Sequence, residues 1–192
     1  MIDEIIRQLR QSITVKNLII ENNELLMEII AVAERIIECC KSNNKVMIAG
    51  NGGSAADAQH FAGEFVNRFN FDRKGLPCIA LTTDTSVITA IGNDSSYDNI
   101  FRKQVEALGQ PGDVFIGIST SGNSANIVEA MKLCKEMGVI TIGLTGEKTS
   151  KIDELCNHII KAPSTDTPRV QEAHMTIEHI ICDIVEKSIF AD

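Results

Sequence analysis

His60 and Glu64 stand four residues apart in a stretch of helical spacing. At that interval an imidazole and a carboxylate share one helix face about one turn apart, where they can hold a common metal ion or exchange protons with a common ligand. Alone on a surface, such a pair contributes roughly a few tenths of a kcal/mol, so its meaning depends on what else reaches the same place. Nearer the carboxyl end, Gln171, Glu172, His174, Glu178 and His179 interrupt a run of apolar residues, a density of polar groups unusual for an element that reads as buried. Gln171 and His174 are three apart, which makes His174 a credible ligand by spacing. Gln171 and His179 are eight apart, about 12 Å along a helix and roughly 80° around it. One straight helix does not readily aim both at one atom. The spacing therefore predicts either full use of the glutamine's reach or a group supplied by a neighbouring subunit, that is, an active site at a subunit interface.

A third group suits an anion. The segment Ser119-Thr120-Ser121-Gly122-Asn123-Ser124 offers four hydroxyl donors, a glycine that lets backbone approach closely, and a helix directly after it. A helix start presents unpaired N–H groups at its positive end. That field supplies only about 0.3–1 kcal/mol near the surface, so hydroxyl and amide hydrogen bonds must carry the grip on a phosphate. A single capping residue would account for one of these side chains, not for four. Asn51-Gly52-Gly53-Ser54 forms a similar strand-to-helix junction.

The elements that must position these groups are legible in the apolar pattern. Residues 1–40 carry helical spacing with a break at Asn22-Asn23, predicting two amphipathic helices. Short apolar runs at 45–49, 77–81, 113–118, 139–144 and 158–161 read as five strands buried on both faces. Helical stretches at 54–66, 97–108, 124–137, 150–155 and 168–189 separate or follow them. Strands alternating with helices predict an α/β fold, a parallel sheet between helical layers. In open parallel sheets ligands sit at the carboxyl ends of the strands, where both polar loops and the start of the His60 helix fall.

Composition narrows the partners. A net charge of −8 without a basic cluster argues against nucleic acid or an anionic membrane surface. Six cysteines without a CxxC pair suit buried thiols in a reducing compartment. The start at Met1-Ile2-Asp3-Glu4 lacks a charged leader and no run of about 18 apolar residues occurs, so a soluble, cytoplasmic protein is expected.

These residues resemble the sugar isomerase (SIS) family. The resemblance runs from about Lys45 to His179. It is carried by Gly50-Asn51-Gly52-Gly53-Ser54, Asp57-Ala58-Gln59-His60-Phe61-Ala62, Thr82-Thr83-Asp84, Ile91-Gly92-Asn93-Asp94, the 117–124 segment and Thr167-Pro168-Arg169-Val170-Gln171-Glu172-Ala173-His174. It implies a flavodoxin-like three-layer sandwich: one domain over 1–192, with helices in 1–43 used in oligomerisation and an α/β core over 44–192. It also implies a homotetramer and one zinc ion per subunit on the positions matching His60, Glu64, Gln171 and His179. Substrate contacts are implied at Asn51, Gly52, Gly53, Ser54, Glu64, Asn93, Asp94, Ser119, Thr120, Ser121, Ser124 and Gln171. The implied activity is aldose–ketose isomerisation of sedoheptulose 7-phosphate to D-glycero-D-manno-heptose 7-phosphate in bacterial heptose biosynthesis, with Glu64 as base and His179 as acid. Of Gln171's two helix companions, His179 is ranked above His174 on the resemblance alone.

Two departures from the family pattern stand out: Gly146-Glu147-Lys148-Thr149-Ser150 lacks a double glycine, and Pro168 replaces an acidic residue. Neither touches the four implied metal positions. Two rival readings remain at this level. One is an SIS-type isomerase for a different phosphosugar. The other is a tetrameric SIS-fold binding protein that regulates replication initiation, from which an intact His60, Glu64 and His179 distinguish this chain.

Overall fold

In the computed structural model, which describes residues 1–191, the first two helices are α1 (Ile2–Glu21) and α2 (Asn23–Lys41). They part at Asn22, whose side chain accepts the Leu25 N–H at 3.0 Å and caps α2. There follow β1 (Val46–Gly50), α3 (Gly53–Val66), β2 (Cys78–Ala80), α4 (Thr85–Asp94), α5 (Ile100–Leu108), β3 (Val114–Ile118), α6 (Ala125–Met137), β4 (Ile140–Gly146), β5 (His158–Ala162) and α7 (Thr167–Phe190).

The five strands form one parallel sheet in the order β2-β1-β3-β4-β5. Their side chains alternate between two cores, as the two-residue strand period requires. Val46 and Ile48 of β1, with Val114, Ile116 and Ile118 of β3, pack toward α2, α3 and α7. Met47, Ala49 and Phe115 pack toward α5 and α6. This is the three-layer α/β sandwich that the sequence pattern implied, and residues of β1 and β3 are buried throughout because both faces are covered.

Two local expectations fail. Residues 150–155 form no α-helix; only a 3₁₀ turn, Asp153–Leu155, is present, a segment too short for the i→i+4 ladder to propagate. Conversely α4 was not anticipated from periodicity. It is rich in β-branched residues, which form helices poorly, and none of its residues is buried, so it shows no core-facing stripe. Its start is fixed by Asp84, whose carboxylate accepts the Val87 N–H at 3.0 Å. The amino-terminal half of α1 likewise leaves Ile2, Ile5, Ile6, Leu9 and Ile13 exposed. No helix among the described residues is long and apolar enough to cross a membrane.

Candidate active site

The carboxyl ends of β1 and β3 carry the two polar loops. In the second, Gly122 has φ +64°, and a Cβ there would collide with the Ser150 side chain, so the turn and its close packing both require glycine. Ser124 is the N-cap of α6 by position, and its carbonyl accepts the N–H groups of Ile127 and Val128. Its hydroxyl makes no capping bond. It lies instead 2.9 Å from the Ser119 hydroxyl, so helix capping does not explain why serine stands there. Asn123 braces the loop by donating its amide to the Ser121 carbonyl at 2.8 Å and accepting the Lys151 N–H at 3.2 Å.

The first loop is locked to the second by a pair of amides. Asn51 and Asn126 exchange hydrogen bonds, each Nδ2 2.9 Å from the other's Oδ1, and Tyr97 donates its hydroxyl to Asn51 Oδ1 at 3.1 Å. Asn126, 2% exposed in the first turn of α6, was not singled out from the sequence. Its partner is 75 residues away, and an asparagine near a helix start reads as ordinary. The Asn51 side chain is thereby engaged within the protein. Gly52 has φ +57° and opens α3, and Ser54 is buried in its first turn. Asn93 and Asp94 lie exposed at the end of α4, bonded to each other at 2.7 Å.

The titratable groups meet where α3 and α7 run side by side. His60 Nε2 and His179 Nε2 are 2.7 Å apart, and Glu64 Oε1 is 3.6 Å from His60 Nε2. Gln171 lies further up the same groove, its amide filling the space that a side chain on Gly53 would take. Seven residues of α3 separate Gly53 from His60 and eight of α7 separate Gln171 from His179, so the two side chains meet α3 at matching heights, about 10–12 Å apart along the helices. Both residues address one neighbouring helix. The interval that the spacing posed is still there: a single ion would need the full reach of the glutamine or a group from a second subunit.

His174 is no part of this meeting. It is fully buried and its Nε2 lies 3.0 Å from the Thr145 carbonyl of β4. Burial depresses its pKa to about 4, the bond to Thr145 opposing, so the ring is neutral, with Nε2–H as the donor. Burial likewise raises the Glu178 carboxyl to about 8, with nearby Asp57 adding to the effect. Burial also raises Asp57, against the influence of His60. The Glu178 carboxyl thus favours the protonated form at neutral pH.

The donor set suits zinc: two imidazoles, a carboxylate and an amide, without thiolate, the composition of an open catalytic site. Zinc–nitrogen bonds of about 2.0–2.1 Å in a tetrahedron hold two nitrogens about 3.3 Å apart. The 2.7 Å between the imidazoles is a hydrogen bond, and the pair must part by roughly 0.6 Å to take an ion. In agreement, no three His, Cys, Asp or Glu side chains among the described residues stand as a finished metal cluster.

Sheet order, paired loops and the α3–α7 groove are those of a sugar isomerase domain, and the SIS domain family model matches residues 13–146. The chain belongs to the SIS domain family. That match ends before α7, so Gln171 and His179 lie outside it. The chain is 56% identical over 190 residues to the phosphoheptose isomerase of Aneurinibacillus thermoaerophilus, covering 99% of this chain and 96% of the relative. It is 57% identical over 179 residues to phosphoheptose isomerase 2 of Campylobacter jejuni, covering 93% and 89%. Among solved structures, a phosphoheptose isomerase from Neisseria gonorrhoeae superposes with a TM-score of 0.90 at 40% identity, covering 96% of this chain and 98% of that one.

Proposed function

We propose that this chain is an aldose–ketose isomerase that converts sedoheptulose 7-phosphate to D-glycero-D-manno-heptose 7-phosphate. The reading is carried by one observation: His60 lies 2.7 Å from His179 of the other helix and 3.6 Å from Glu64 of its own, on the helix that starts at the sheet edge where a hydroxyl-lined loop can hold a phosphate. In this reading the phosphate rests on Ser119, Thr120, Ser121 and Ser124 at the start of α6. Gly52, Gly53 and Ser54 admit the sugar chain against the backbone. Asn51 takes part through its main chain, and Asn93, Asp94 and Gln171 contact sugar hydroxyls.

Moving a carbonyl between C1 and C2 needs a base for a carbon-bound proton and an acid for the oxygen. Glu64 removes a proton from C1, the resulting enediolate spreads its charge over two oxygens, and His179 protonates the C2 oxygen; the C1 hydroxyl then gives up its proton as the carbonyl forms there, and Glu64 returns its proton to C2. Each such group contributes about 10²- to 10⁴-fold. A zinc ion held by His60, Glu64, Gln171 and His179 would supply Lewis-acid stabilisation of the developing oxyanion. The apolar side chains exposed on α1 support assembly into a homotetramer with active sites at subunit interfaces. The six free cysteines, one or more in each helical layer, support a cytoplasmic setting in which thiols stay reduced.

The test is to incubate purified protein with sedoheptulose 7-phosphate and, separately, ribulose 5-phosphate, with and without a chelator, and to follow aldose formation. Turnover of the heptulose phosphate that stops with chelator and returns with zinc is expected. Turnover of ribulose 5-phosphate alone would reassign the substrate, and a chelator-insensitive rate would remove zinc from the mechanism.

A further inference from the structure

The chain leaving α3 folds back toward β2 around one buried ion pair. The Arg73 and Glu186 side chains are 3% and 1% exposed, with Arg73 Nε 2.9 Å from Glu186 Oε1. Glu186 also accepts the N–H groups of Phe69 at 2.7 Å and Asn70 at 2.6 Å. Those donors outweigh the effect of burial and hold its carboxyl below the usual range. Arg73 in turn donates to the main-chain carbonyls of Glu64 at 2.9 Å and Phe65 at 2.7 Å. These belong to the last turn of α3, where carbonyls lack helical partners and need outside donors.

Both ends of this clamp reach the groups to which the proposed chemistry is assigned. Arg73 holds the backbone of Glu64 itself. Glu186 lies seven residues after His179, on the same face of α7, and grips the backbone of Phe69. The Phe69 ring sits 5.7 Å from the His179 ring, centroid to centroid, at 36°. His60 approaches that imidazole at 5.0 Å and 69°. The His179 ring therefore has a neighbour of fixed position from α3 and another from the clamped segment.

We propose that Arg73, Glu186 and Phe69 are positioning residues for this site: the buried pair fixes the Glu64 turn and presents Phe69 to the His179 imidazole, so that base and acid keep their separation. The proposal rests on the reading of Glu64 and His179 as the reacting groups. Arginine is required because its planar fork bonds Glu186 and two carbonyls at once, whereas a lysine ammonium is a point charge on a flexible stem.

The experiment combines steady-state kinetics on sedoheptulose 7-phosphate with NMR of labelled histidine rings. Phe69→Leu leaves the ion pair intact. It is expected to lower kcat on the order of ten- to a hundredfold, as misplacement of reacting groups does, with KM nearly unchanged and the His179 ring resonances shifted. Phe69→Tyr is expected to restore both. Arg73→Lys is expected to act in the same direction, and if it does not fold, the Phe69 pair decides. If Phe69→Leu matches the unaltered enzyme in kcat and in the His179 signals while His179→Asn is inactive, the positioning role is wrong and the functional reading stands. Loss of kcat only in proportion to the unfolded fraction would also overturn it. If Glu64→Gln and His179→Asn both turn over normally, the functional reading fails and the proposal falls with it.

Discussion

The two halves of the candidate site are built in opposite ways. The side chains of the loop at 119–124 are engaged mostly at short range: Ser119 meets Ser124 and Asn123 braces Ser121, with bonds spanning two to five residues, and Lys151, 28 residues from Asn123, adds an outside tie. The α3–α7 groove is assembled over long range, since His60 and His179 are 119 residues apart in the chain and the Arg73–Glu186 clamp spans 113. A loop braced mainly by near neighbours needs few distant contacts to form a ligand cradle. A groove between distant helices requires every layer of the fold to be in place, and its geometry is correspondingly exposed to changes far from the reacting atoms.

This contrast assigns binding to the loop and chemistry to the groove, and each assignment can be broken. The largest effect is expected for Glu64→Gln, a fall in kcat of about 10²- to 10⁴-fold with phosphate binding retained, measured by turnover and by titration with inorganic phosphate. A full loss of phosphate binding would show that the halves are not separable. Arg73→Ala should follow. It leaves Glu186 charged and unpaired in the interior, at a cost of about 3–5 kcal/mol in denaturant unfolding, whereas an equivalent change in the loop should cost far less.

His174 sharpens the same point through pH. Its ring is neutral in the fold, with a pKa of about 4 against 6.5 for a free imidazole side chain, so the unfolded chain binds more protons between those values. Stability is therefore fully present above about pH 6.5 and is lost as pH falls toward 4, by up to about 3 kcal/mol. Glu178, raised to about 8, contributes the opposite slope between about pH 4.5 and 8, so the test is the difference in thermal unfolding between the unaltered protein and His174→Gln across that range. Identical profiles for the two proteins would contradict the buried neutral ring.

Ser124→Ala is expected to weaken substrate binding by roughly tenfold or more, the worth of a hydrogen bond to a charged group, seen as a raised KM with little change in kcat. A fall in kcat at constant KM would reverse the division of labour. The smallest effect should come from Asn126→Leu, which leaves the Asn51 amide unsatisfied at about 1–3 kcal/mol; calorimetry should register it as a lower melting temperature. A neutral result would mean that water replaces the partner.

The sequence by itself determined the strand runs, the break at Asn22, the serine loop, the His60–Glu64 pair and the polar cluster around Gln171, because each is written in local periodicity or in residue chemistry over a few positions; the preference for His179 over His174 came from the family resemblance. Where the signal was weak, it misled: α4 has no buried stripe to betray it, and 150–155 contains only one 3₁₀ turn. Tertiary structure alone decided that Gln171 and His179 address the same helix, that His174 points to Thr145, and that Asn51 is tied to Asn126. It alone revealed that Arg73, Glu186 and Phe69 belong to the surroundings of Glu64 and His179. Those relations depend on the parallel alignment of α3 and α7 on one face of the sheet. No spacing along the chain encodes it, since it arises from packing contacts between segments more than a hundred residues apart.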